Sequence, residues 1–225
     1  ENIVTYNKVI NDNNAFDLTF LYSNNKTTFE STRADANKLV LDGLGYNNLS
    51  LGSVLTNSSD AYEIEGESLM GRINYRLKNR YLYTFTVRRD GSSVFAKNKK
   101  YATFPSASAA WILSDEPFIK SIDFIDMLKL RASYGAVGNQ AIRPYQSLSL
   151  SDITRYVYSD GGSTSIGVNT SSLGNEDLKW ESTYSSNVAL DFEVLSRRLT
   201  GTIEFYDSNT KDLLVRRAIP VMNGF

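Results

Sequence analysis

Along this chain apolar and polar residues take turns at every second position. Leu69, Gly71, Ile73, Tyr75 and Leu77 fall on one side of an extended strand, and Met70, Arg72, Asn74 and Arg76 on the other. After Lys78-Asn79 the alternation resumes, with Tyr81, Tyr83, Phe85 and Val87 set against Leu82, Thr84, Thr86 and Arg88. A side-chain period of two assigns each set to its own face of a sheet. The face that carries the arginines cannot be a packed apolar core, and the opposite face is apolar with tyrosines near a strand end. That combination predicts the wall of a transmembrane β-barrel, apolar to lipid and polar to a wet lumen. Ile73, Tyr75, Tyr83, Phe85 and Val188 are therefore expected to face lipid. Arg72, Asn74, Arg76, Thr84 and Asn187 are expected to face the lumen.

The same reading extends along the chain. Eight antiparallel strands are predicted, near 2–10, 15–29, 62–77, 80–95, 101–113, 127–137, 179–194 and 199–215. The links at 11–14, 78–79 and 195–198 are short, and those at 32–60 and 139–177 are long. In outer-membrane barrels the short turns are periplasmic and the long loops extracellular, so 32–60 and 139–177 are expected outside the cell. The link from Ala96 to Lys100 is a short exception on the extracellular side. The Ser114–Asp126 link is longer than a periplasmic turn needs, and Glu116-Pro117 predicts a small turn of helix there. A soluble β-sandwich would also show two-faced strands, apolar in and charged out. Strands this long exceed the usual ~5–6 residues and suit a barrel better.

Composition sharpens the class. Hydrophobic residues make up 41% of the chain and mean hydropathy is −0.30. No run approaches the ~18 apolar residues of a transmembrane helix; a barrel escapes that criterion because every second residue can be polar. Fourteen tyrosines fit interfacial girdles. The chain has neither histidine nor cysteine, which removes Ser-His-Asp and Cys-His catalysis, thiolate or histidine zinc sites and any disulfide framework. Asp60, Glu63, Glu65 and Glu67 cluster, but they read as a solvated strand above the bilayer in preference to a calcium site or a glycosidase pair. Gly43-Leu44-Gly45 lacks the strand-to-helix context of a nucleotide loop. A net charge of −1 makes no case for nucleic acid. No enzyme activity and no cofactor are expected.

The stretch GRINYRLKNRYLYTFTVRRDGSSVFAKNKKYATFPSASAAWILSDEPF, from Gly71 to Phe118, resembles the barrel signature of the SusC/RagA family of TonB-dependent outer-membrane transporters. LKLRASYGAVGNQ (Leu128 to Gln140), NEDLKWESTYSSNVALDF (Asn175 to Phe192) and GTIEFYDSNTKDLL (Gly201 to Leu214) resemble the same family in the expected order, covering most of residues 71–214. The resemblance implies energy-coupled import of glycan or peptide fragments across the bacterial outer membrane. It further implies a SusD-like surface lipoprotein as lid and TonB as energy donor. Large barrels of this kind close with about 22 strands, so eight strands would form about a third of the wall. The chain opens in an alternating segment with no leader, so a piece of a larger polypeptide is expected, with plug and TonB-contacting segments elsewhere.

Candidate contacts follow from position. Tyr46, Tyr145, Tyr156 and Tyr158 lie in the predicted outer loops or at their bases. There their rings could stack on a glycan or simply pack the loop. Lys97, Lys99 and Lys100 form a basic tip, suited to lipopolysaccharide phosphates or to a soluble turn. Arg89-Asp90-Gly91-Ser92-Ser93 reads as architecture, its glycine permitting a bend or bulge. Phe225 resembles a terminal barrel aromatic, but Ile219–Gly224 before it does not alternate. Two rival readings are a complete eight-stranded barrel with a structural or adhesive role and a soluble β-sandwich that binds carbohydrate.

Overall fold

The computed structural model describes residues 1–39, 42–157 and 164–216. Among these residues ten strands form in chain order: β1 (Asn2–Asn11), β2 (Asn14–Leu39), β3 (Gly52–Leu77), β4 (Tyr81–Ser92), β5 (Tyr101–Ile112), β6 (Ile125–Asn139), β7 (Leu150–Val157), β8 (Thr164–Ser172), β9 (Glu181–Val194) and β10 (Leu199–Lys211). Eight of them make one antiparallel sheet in the order β1-β2-β3-β4-β5-β6-β9-β10, and β7 and β8 pair separately. Every neighbour in the large sheet is the next strand of that sheet in sequence, the meander of an up-and-down wall. A single sheet replaces the two packed layers a sandwich requires. Among the described residues β1 and β10 are its two edges and do not pair with each other, so the eight strands do not close on themselves.

Connections differ sharply between the two ends. At one end β3 and β4 are joined by a tight turn in which Lys78 and Asn79 both have positive φ (52° and 53°) and the Arg80 N–H donates to the Leu77 carbonyl at 3.1 Å. This is the mirror-image turn whose twist matches a hairpin. Ser196 and Arg197 do the same between β9 and β10. The expected helical turn at Glu116-Pro117 is present as α1 (Pro117–Lys120), with proline at the helix start, where its missing N–H costs nothing.

The predicted loop at 32–60 is mostly strand. β2 and β3 are 26 residues each and stay in register from Asn14↔Leu77 to Leu39↔Gly52. Neighbouring β1 begins its pairing at Tyr22, and β4 ends its pairing at Gly66. Beyond the Asn25↔Gly66 pair, more than half of the hairpin therefore stands as a two-stranded ribbon. Nearly all of it is exposed on both faces, which explains the lost alternation: nothing there selects an apolar side. Phe29 stacked on its cross-strand partner Tyr62 at 4.7 Å and the Lys26–Glu63 ion pair at 2.7 Å brace it. The predicted loop at 139–177 likewise contains the β7–β8 hairpin. Residues 80–95 and 199–215, predicted as whole strands, end as strand at Ser92 and Lys211. Ile219–Phe225 lies outside the described residues.

A small buried core sits where the β5–β6 ladder stops. These strands pair only from Ser106↔Gly135 to Ile112↔Lys129, and Pro105, with no N–H to donate, stands just beyond the first pair. Val94, Phe95, Phe104, Ala136 and Trp180 fill the gap. Trp180 packs on Phe95 at 4.9 Å and edge-on to Phe104 at 5.6 Å, and its Nε1 donates to the Lys100 carbonyl at 2.9 Å.

Candidate transport face

The register carries the two-faced pattern of β3 across the sheet. In the pairing Asp17–Asn74–Thr84–Ser108–Ser133–Asn187 every residue is polar. The adjacent row on that face runs Thr19–Arg72–Thr86–Ser106. On the other face the matching rows are Tyr6–Leu18–Ile73–Phe85–Ala107–Tyr134 and Phe16–Tyr75–Tyr83–Ala109–Ala132–Val188–Phe205. Arg72, Asn74, Arg76, Thr84 and Asn187 thus share one face, and Ile73, Tyr75, Tyr83, Phe85 and Val188 share the opposite one.

The polar face is internally bonded rather than merely hydrophilic. Arg72 Nε donates to Thr86 Oγ1 at 3.2 Å, and Thr84 Oγ1 donates to Asn74 Oδ1 at 2.9 Å. The strongest element is Arg131, whose Nε and Nη2 donate to the two carboxylate oxygens of Asp191 at 2.7 and 2.9 Å. Thr202 Oγ1 donates to the same carboxylate at 2.9 Å. Planar bidentate pairing of this type fixes geometry as well as charge. Asn187 donates to Glu204, and Ser185 and Ser208 share a hydrogen bond at 2.9 Å. The alternating pattern alone does not single out the Arg131–Asp191 pair. Its partners are diagonal neighbours, since Arg131 lies opposite Ala189, and only the register brings them together.

The chain matches the family model described as TonB dependent receptor-like, beta-barrel, over residues 2–225. The chain belongs to this family. It is 39% identical over its whole length to TonB-dependent receptor P3 of Formosa agariphila and covers 22% of that protein. It is 41% identical, over 70% of its length, to TonB-dependent receptor SusC of Bacteroides thetaiotaomicron, of which it covers 16%. A solved structure of the RagAB peptide transporter matches with a TM-score of 0.87 at 26% identity, covering 99% of this chain and 24% of that one. The chain therefore spans less than a quarter of the length of these relatives. Its eight-stranded sheet corresponds to part of a TonB-dependent receptor barrel, a bacterial outer-membrane structure, and the family is one of receptors and transporters rather than enzymes.

At one end of the receptor sheet Glu116 gathers three donors: Arg80 Nη1 at 3.0 Å, Tyr81 Oη at 2.7 Å and Trp111 Nε1 at 3.1 Å. The Tyr81 and Trp111 hydrogen bonds, aided by the Arg80 charge, hold its carboxyl below the ordinary range. At the other end the expected bulge at Gly91 is absent. Gly91 pairs in register with Tyr101, and the tyrosine ring occupies the space a side chain at Gly91 would need. A cross-strand aromatic covering a bare glycine explains the residue; Phe192 lies over Gly201 in the same way.

The candidate contact residues do not converge in the receptor segment. Tyr46 projects from the β2–β3 connection and is 87% exposed. The Tyr145 hydroxyl accepts the Glu63 N–H at 3.4 Å, and Tyr156, in β7, lies over Gly167. Tyr158 lies outside the described residues. Lys97, Lys99 and Lys100 are exposed at the β4–β5 tip, although Lys100 is fixed through its carbonyl, which accepts from Ser92 N–H and from Trp180. Of the acidic cluster, Glu63 pairs with Lys26 and Glu67 accepts from Tyr101 Oη at 2.8 Å. Among the described residues no three carboxylates are placed to hold a metal ion.

Proposed function

We propose that this segment forms about a third of the barrel wall of an outer-membrane importer for a bulky polar oligomer, a glycan or peptide fragment. Its apolar face lies on lipid and its bonded polar face lines the lumen. The observation that carries the reading is the row from Asp17 to Asn187, polar at every position across six strands, while the row from Phe16 to Val188 on the other face is built of aromatic and aliphatic residues across the same six. A wall built this way separates hydrocarbon from water. The end with the tight turns is periplasmic, and the end bearing the β2–β3 ribbon and the β7–β8 hairpin is extracellular, where Tyr46, Tyr145 and Tyr156 meet arriving substrate. The relatives named for peptide transport and as SusC support the substrate class and a SusD-like lipoprotein partner.

A barrel wide enough for such a solute leaks unless a plug elsewhere in the polypeptide closes it. No ATP is available outside the inner membrane, so TonB supplies the work of opening. Deletion of the full gene is expected to abolish growth on one oligosaccharide or peptide source while sparing growth on its monomers. Loss of TonB is expected to reproduce the defect, and loss of the lipoprotein to weaken uptake. Unchanged uptake of every candidate nutrient in both the gene and TonB deletions overturns the proposal.

A further inference from the structure

The apolar face of the sheet is not uniformly filled. Val4, Phe20, Gly71 and Val87 are consecutive across four strands, with Ile73 and Phe85 in the row beside them. A Cβ added at Gly71 would meet no heavy atom within 4 Å. The missing side chain leaves an open groove of about 430 Å³ between these residues, large enough for a stretch of acyl chain.

An unpaired cation stands at the head of this groove. Leu69 pairs with Arg89, and Arg89 is the diagonal neighbour of Gly71, about 7–8 Å away on the same face. The two adjacent arginines have different fates. Arg88, on the polar face, is neutralised by Asp90 at 2.8 Å. Arg89 is exposed and makes no ion pair among the described residues; its guanidinium lies 4.9 Å from the centroid of the Tyr101 ring. Bare Gly91 lets that ring lie across β4, and the Tyr101–Glu67 hydrogen bond anchors it. Glu67 is the acid on this face beside Arg89, and its Oε2 is engaged by Tyr101. The chain thus builds a held, accessible cation at the edge of the apolar band, above a notch in it.

We infer that this is a fixed site for lipopolysaccharide of the outer leaflet, with a lipid phosphate on Arg89 and an acyl chain in the groove at Gly71. The inference rests on the lipid-facing assignment of the apolar face. Arg89 lies at the end opposite the tight turns, hence in the external leaflet. The lipid of that leaflet bears phosphate directly on a compact, multiply acylated sugar, which suits one cation beside one groove. Arg89, rather than Lys97, Lys99 and Lys100, is the principal phosphate contact.

The full-length receptor, purified from outer membranes and washed with detergent, tests this by the lipid A retained per folded molecule, read against the heat-modifiable band. Wild type is expected to retain lipopolysaccharide. Arg89→Gln and Gly71→Phe are each expected to lower retention about tenfold, the scale of one charge-assisted hydrogen bond. Arg89→Lys should keep most of it, and Val188→Phe, on the same face outside the groove, all of it. Wild-type retention in Arg89→Gln or in Gly71→Phe, or phospholipid held in place of lipopolysaccharide, overturns the site. A photo-crosslinker at Ile203 captures lipid of any kind if this face lies in the bilayer; failure there refutes the face assignment itself.

Discussion

Placing arginine on either side of one peptide bond separates the two faces of the wall energetically. On β3 the outward apolar run extends from Leu69 to Leu77, and Glu67 and Asn79 follow at its two ends. Eight residue steps at ~3.4 Å span about 27 Å along the strand. A tilt of about 40° reduces that to roughly 20 Å of height, close to the ~25 Å apolar band of such barrels. Ile73 is the middle residue of the run and is 48% exposed. Ile73→Arg therefore puts a guanidinium near the midplane, at a cost of ~2–4 kcal/mol. Asn74 lies on the opposite face and accepts one hydrogen bond, from Thr84. Asn74→Arg loses that bond, about 1 kcal/mol, and leaves its charge in water. The assay is denaturant unfolding of the full-length receptor in vesicles, with outer-membrane abundance as a second readout. Equal destabilisation by the two variants, or a larger effect at Asn74, refutes the orientation.

Three further outcomes follow from particular contacts. Asp191→Ala should destabilise the receptor more than Thr202→Ala, because it strands the Arg131 guanidinium and removes two charge-assisted hydrogen bonds; denaturation midpoints of the two variants check this. Glu116 has a depressed carboxyl pKa, so its contribution to stability is present above the unfolded value of about 4.3 and is lost as pH falls through the lower folded value. Wild type should therefore lose stability on acidification below that point more steeply than Glu116→Gln, as read by melting temperature across the range. Residues 1–225 expressed alone should yield no heat-modifiable monomer in detergent, since β1 and β10 present unpaired edges that hydrocarbon does not tolerate.

What could be read from the sequence tracks where burial imposes a period. Between Leu69 and Val87 one face is apolar and the other polar, so strand type, the two sets of residues that share a face and sheet class are all legible there. Up to Leu39 and again from Gly52 the chain is equally extended, but both faces are exposed and no period two survives. The long β2–β3 ribbon reads as loop for that reason. Gly91 shows a different limit. Its role depends on Tyr101, ten residues on and across a strand pair, so the local motif suggested a bend where the fold has a flat ladder with a ring laid over it. The Glu116 donors Arg80 and Tyr81 come from a different turn and strand. The candidate tyrosines Tyr46, Tyr145 and Tyr156 were placed by loop position alone, and the structure sets them on three separate elements.

The claim that one face of this sheet lines a wet transport lumen is tested most directly at Ala132 and Ser133, adjacent and exposed residues of β6 that belong to the opposite rows. This segment contributes no native thiol. In the full-length receptor, single cysteines at the two positions are treated with a small water-soluble maleimide in intact outer membranes. Ser133→Cys is expected to label and Ala132→Cys to remain protected by lipid. Labelling at Ala132 with protection at Ser133, or equal labelling at both, contradicts the account.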